Sequence, residues 1–235
     1  MASRNTATWK RNDMIRILMA ALAVAMIGLP IQIQATAITI LNDSFEAPVT
    51  GTTFTPPDNW NVFGGGAGVW NINDFPAGFW TVSAPDGKQI AFVSSAPHPG
   101  SPAGLSQVLS DSLVANTLYH LSGFVGHPIG FDTSDGTATG APTIYTASLY
   151  AGGILLGSTS GTGPSGSFTT FNLFFDSTGS ALVGQALEVR LESNQAQTGF
   201  DKIALDASAV PDGGVTIMLL GMSLTGLGWM RRKMS

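Results

Sequence analysis

Between Ala186 and Ser193 the chain alternates strictly, with Leu187, Val189 and Leu191 on one parity and Glu188, Arg190 and Glu192 on the other. Only extended backbone puts two such sets on opposite faces, so this segment is a half-buried strand. The same period recurs along the chain. Phe171, Leu173 and Phe175 share a parity in 168–176, and Tyr145, Ala147 and Leu149 do so in 143–150. Tyr119, Leu121 and Val125 share one in 118–126, as do Ile203 and Leu205 in 200–207. Shorter apolar runs at 37–41, 60–63, 78–82, 89–94 and 105–109 read as further strands. Between Ile38 and Ala209 no stretch of useful length carries a 3.6-residue period, and the breaks are turn-rich, as at Gly64-Gly65-Gly66, Pro85-Asp86-Gly87 and Gly152-Gly153. The expectation is an all-β fold, a single antiparallel β-sandwich of jelly-roll type over 38–209. A parallel β-helix competes, but its short regular repeat is missing.

The two ends have a different character. Arg4 to Arg16 is basic, Ile17 to Leu29 is an apolar run of 13 residues, and Ala35-Thr36-Ala37 offers a small-x-small cleavage site. As a helix that run is only about 20 Å long, short of a bilayer core of roughly 30 Å. Residues 1–37 therefore read as a signal peptide with a signal helix. At the other end Val210-Pro211-Asp212-Gly213-Gly214 precedes an apolar stretch over 215–230, expected as a transmembrane helix, and Arg231-Arg232-Lys233 closes it. The basic cluster keeps that end cytoplasmic and leaves the body outside.

Val210, Pro211, Asp212, Gly213 and Gly214, the apolar helix, and the Arg231, Arg232 and Lys233 end together resemble the PEP-CTERM class of sorting signals, most closely its VPDSG type. Gly213 stands where that type usually has Ser. The resemblance implies a partner, an exosortase-type membrane protease. It also implies a history: export across the inner membrane, transient anchoring through the C-terminal helix, then release to the cell surface or the extracellular space.

The body holds thirteen acidic residues against three basic ones, Lys88, Arg190 and Lys202, a net charge near −10. That field repels phosphate backbones and argues against nucleic acid as a partner. Cysteine is absent, so an exported fold of this size relies on its core or on a metal. Asn42-Asp43-Ser44-Phe45-Glu46, Trp60 before a Gly-rich loop, Gly104 to Gln107, Leu118 to Ser122 and Phe200 to Leu205 resemble the galactose-binding-like, carbohydrate-binding-module type of sandwich.

Two candidate sites follow. Asp201 shares strand parity with Ile203 and Leu205, which points a carboxylate at the core side, where it needs a partner. With Glu46 and Asp43 it forms a candidate structural calcium site, since calcium takes several carboxylate and carbonyl oxygens; capping a turn or pairing with Lys202 is the plainer role. Trp70 and Trp80, with Asn71 and Asn73 between them, form a candidate carbohydrate-binding surface, in which flat rings stack on sugars and amides reach the hydroxyls. Filling the core is the plainer role for a tryptophan, and Trp60 is expected there.

Catalytic signals are sparse. Glu188 and Glu192 sit about 13 Å apart on a strand, whereas glycosidase carboxylates lie roughly 5 or 6.5–9.5 Å apart. There is no cysteine, no G-x-S-x-G elbow and no His-Glu-x-x-His motif. The resulting expectation is a non-catalytic surface or matrix protein with extracellular polysaccharide as its partner and structural calcium as a cofactor. A purely structural surface protein and a glycan-active hydrolase are the alternatives.

Overall fold

The computed structural model describes residues 34–51, 53–74, 78–95, 103–130, 143–194, 197–210 and Gly221. The expected signal helix, the apolar helix over 215–230 and the residues from Pro211 to Gly214 lie outside these, Gly221 apart. Among the described residues no helix is long and apolar enough to cross a membrane.

Gln34 to Val210 form one compact unit. Among the described residues its strands are β1 (Thr36–Ile38), β2 (Asn61–Phe63), β3 (Gly66–Asn71), β4 (Gln89–Ser94), β5 (Ala103–Ser112), β6 (Thr117–Gly126), β7 (Ile144–Ala151), β8 (Ile154–Thr162), β9 (Thr169–Asp176), β10 (Ala186–Ser193) and β11 (Thr198–Ala209). They build two antiparallel sheets. The larger runs β3-β4-β11-β6-β9, with β1 added on β11, and the smaller runs β2-β5-β10-β7-β8. Tyr119, Leu121, Phe171, Phe200 and Leu205 of the larger sheet share one buried core with Leu105, Leu149, Leu187, Val189 and Leu191 of the smaller. The sheets therefore pack face to face. Trp60 lies in this core, tilted against Phe45 at 5.3 Å, and its Nε1 donates to the Asn42 carbonyl.

Alternation located β6, β7, β9, β10 and β11, because each has one face on the core and one off it. Three segments differ from expectation. Residues 78–82 form no strand; Trp80 is held there by its ring, stacked on Phe168 at 4.5 Å and 3°. β3 (GAGVWN) is buried on both faces, so it shows no alternation, and β8 is built largely of glycine, serine and threonine, whose side chains carry little periodic signal. In β3, Gly68 is required by close approach, since a Cβ there would run into the Thr53 carbonyl and lie 2.9 Å from the Phe92 ring.

Candidate active site

The outer face of the larger sheet is set by the inner one. Tyr119, Leu121 and Val125 of β6 and Phe171 and Leu173 of β9 fill the core. Ser122, Phe124, Thr170 and Asn172 therefore face outward, with Ser122 opposite Asn172 and Phe124 opposite Thr170. On the other side of β6 runs β11, whose register slips between Asp201 and Ala204, so that Asp201 faces Phe124 and Ala204 faces Ser122. Residues directly opposite share a face. Asp201 is thus on the outer face, and the parity argument that aimed it at the core is corrected by a bulge at Lys202, which takes a φ of 49°.

These strands enclose a groove of about 230 Å³ lined by Ser122, Phe124, Thr170, Asn172, Lys202 and Ala204. Aromatic groups flank it along the sheet. Towards β9, His120 stacks on Phe174 at 4.3 Å and 5°, and its Nε2 lies 2.8 Å from Asn172 Oδ1. That contact puts the ring proton on Nε2, because the amide oxygen only accepts. Towards β4, Trp70, Ile72, Ile90 and Phe92 form a second buried apolar cluster on the same face, with Trp80 and Phe168 packed against it. Gly199 leaves the space for this packing, since a Cβ would lie 2.8 Å from Ile90 and 3.2 Å from Trp80.

The candidate carbohydrate surface takes another form. Trp70 is 4% exposed and packs on Phe92 at 5.1 Å, so it is part of the second core and not an open platform. Trp80 is half-buried, and its buried Nε1 has no hydrogen-bond partner. Asn71 accepts the amide of Asn73 through Oδ1, a local bond that opens the 3-10 turn over Ile72–Asp74. The outermost pair considered for catalysis, Glu188 and Glu192, lies on the smaller sheet, where Glu188 is tied to Arg190 at 2.7 Å.

Asp201 is fully buried, under the turn after Pro85. Its Oδ2 accepts the Asp86 amide at 2.8 Å and its Oδ1 the Lys202 amide at 2.7 Å. Burial pushes its pKa up to about 8; the two amides oppose that shift and the carboxylates of Asp86 and Glu46 add to it. Glu46 Oε1 accepts the amides of Lys88 and Gln89, so two carboxylates grip one turn from both ends. Asp43 is exposed, and its carbonyl accepts the Ile203 amide. Among the described residues no three His, Cys, Asp or Glu side chains converge on a common point. A calcium ion here would need Glu46 and Asp201 for charge and backbone carbonyls for the remaining oxygens.

Residues 36–206, which span the sandwich from the start of β1 into β11, match the HpiC1 cyclase family. The chain belongs to the HpiC1-like cyclases. A Stig cyclase, Fisc from Fischerella sp. TAU, in complex with (3Z)-3-(1-methyl-2-pyrrolidinylidene)-3H-indole, shares 26% identity and a TM-score of 0.65, over 76% of this chain and 100% of its own. A cyclase from Fischerella sp. TAU in complex with 4-(1H-indol-3-yl)butan-2-one shares 25% identity and a TM-score of 0.64, over 75% and 100%. Curated proteins give no match. Residues 209–234 match the VPDSG-CTERM motif. This HpiC1-like cyclase is therefore exported, transiently anchored in the membrane and processed by an exosortase-type protease.

The expectation of a non-catalytic body is overturned by the family match and by these cyclases. The error has a physical source. A sandwich is a scaffold that hosts binding modules and enzymes alike, so likeness to one tenant decides nothing about chemistry. Nor does the groove carry a motif. It is made from single outward positions on three strands, legible only as the polar parity of β6 and β9.

Proposed function

We propose that this HpiC1-like protein is a cyclase that closes a ring on a small substrate carrying a flat heteroaromatic group, bound in the groove between β9, β6 and β11. The observation that carries the reading is the match of 36–206 to a cyclase family. Two structurally similar cyclases hold indole compounds, and a fused bicycle suits what this groove offers. Its volume, about 230 Å³, falls below the roughly 300–1,000 Å³ usual for drug-sized ligands, so it takes a compact planar group. Phe124 supplies an aromatic face. Ser122, Thr170 and Asn172 supply hydrogen-bonding groups that fix orientation.

Ring closure of this kind is helped by proton transfer at a positioned group. Lys202 lines the groove, and His120 borders it through Asn172. Lys202 offers an ammonium at the groove, and His120, through Nε2 on Asn172 Oδ1, orients that amide toward the bound group. The test is a panel of indole-bearing open-chain precursors incubated with the protein, with ring-closed product separated by chromatography. Conversion that falls on Lys202→Met and Phe124→Ala supports the reading. No conversion above the rate without protein, across the panel, sinks it.

Calcium forms a second, structural part of the proposal. Asp201 is buried with the carboxylates of Asp86 and Glu46 adding to its raised pKa, and the Lys202 ammonium lies 4.0 Å from Asp86. A divalent ion between Asp201 and Glu46 relieves that repulsion and pins β11 to the turn after Pro85. Loss of calcium is then expected to loosen one wall of the groove.

A further inference from the structure

The end of the sandwich where the tail leaves differs from the rest of its surface. Backbone bonds gather four elements there. Leu113 donates to the Gln185 carbonyl, Gly184 to Leu113, Gly152 to Ala186 and Ser177 to Thr117. The turns 113–116, 152–153 and 177–185 therefore lie at one pole. The tail leaves from the same pole: Ala209 is paired with Thr117, and the Val210 amide donates to the Asn116 carbonyl. The next residue in sequence is Pro211 of the sorting motif. In sequence only Pro211 to Gly214 stand between Val210 and the apolar stretch over 215–230.

The chemistry of this pole is unusual for an acidic body. Residues 113–116 (LVAN), 152–155 (GGIL) and 177–185 (STGSALVGQ) contain no charged side chain, while Asp111 and Asp176 flank two of these turns. They present apolar tips to the outside, with Val114 59%, Ile154 56%, Leu155 50% and Val183 44% exposed. Beside them a recess of about 340 Å³ opens between Asp111, Val114, Tyr119, Ala207 and Ala209, so one carboxylate rims the pole. Apolar exposure coincides with the place where the chain is tied to a membrane segment. A short tether holds this pole at the bilayer and raises its effective concentration there. The apolar tips themselves carry no charge into the interface, and Asp111 and Asp176 stand at its rim.

We propose that this pole is a lipid-seating surface: Val114, Ile154, Leu155 and Val183 rest in the outer interfacial layer of the membrane while the protein is anchored. The groove lies on a sheet face and not at this pole, so it stays open to solvent in the seated state. Seating also presents the junction at Val210 to a membrane protease. The surface carries no basic residue, so the contact is apolar, independent of anionic lipid and insensitive to salt.

The absence of cysteine makes the test clean. Single variants Val114→Cys, Ile154→Cys and Val183→Cys in the full chain are labelled with an environment-sensitive fluorophore and reconstituted in phosphatidylcholine vesicles. Val49→Cys, and Ile144→Cys at the opposite end of β7, serve as controls; both native residues are exposed. The expected result is a blue-shifted emission at the three pole positions, quenched by spin-labelled phosphatidylcholine several-fold more than at the controls and unchanged by high salt. Equal quenching at all five positions overturns the proposal. So does a blue shift that grows with protein concentration in lipid-free micelles, which would assign the surface to a second copy of the chain.

Discussion

Asp201 Oδ2 accepts the backbone amide of Asp86 at 2.8 Å, across 115 residues of sequence. This bond joins the bulge of β11 to the turn that leads into β4, beside the groove. It also explains why the carboxyl is tolerated: burial raises its pKa to about 8, and amide donors partly offset the cost.

A pH dependence follows. The unfolded carboxyl ionises near 4, whereas in the folded state it keeps its proton up to about 8. Between those values the folded state binds more protons, so stability is highest at the acid end of this window and falls as pH rises through it. The loss is on the order of a few kcal/mol, or several degrees in melting temperature. Thermal unfolding from acid to mildly alkaline pH with a chelator present measures it. Asp201→Asn cannot ionise, and it should flatten the profile while costing about 1 kcal/mol at low pH for a lost amide bond.

Calcium should reverse that trend. At neutral pH and above, an ion on Asp201 and Glu46 stabilises the ionised carboxyl and raises the melting temperature in proportion to the logarithm of free calcium. Glu46→Gln and Asp201→Asn should both remove the rise. A melting temperature unmoved by calcium in the parent chain would leave the two carboxylates as turn clamps alone.

Gly68→Ala tests the packing of β3 against the 53–54 segment. The added methyl meets a carbonyl that cannot move away and the Phe92 ring at 2.9 Å, so a destabilisation of about 1–3 kcal/mol is expected by chemical denaturation. A neutral result would mean that the second apolar cluster is looser than its contacts suggest.

The inner parity of β6, β7, β9, β10 and β11 was legible because those strands alternate. From it the outward positions Ser122, Phe124, Thr170 and Asn172 follow directly, although polar residues on a strand carry no mark of a site. The pairing of β6 between β9 and β11 was not legible, since strand order depends on contacts distant in sequence. The bulge at Lys202 was hidden as well, and it moved Asp201 from the inner to the outer face. Trp70, like Trp80, reads from the sequence as lying near a loop and so open to a ligand; a second apolar cluster outside the sheet, with Ile90, Phe92 and Trp80 around it, takes it in.

The most direct test of the central claim is a titration with 4-(1H-indol-3-yl)butan-2-one, followed by amide chemical shifts of the protein. Shifts confined to residues 122–124, 170–172 and 202–204 are expected, abolished by Phe124→Ala with the fold intact. An absence of shifts at any concentration of the ketone, or shifts that leave those nine positions untouched, would contradict the assignment of the groove as the active site.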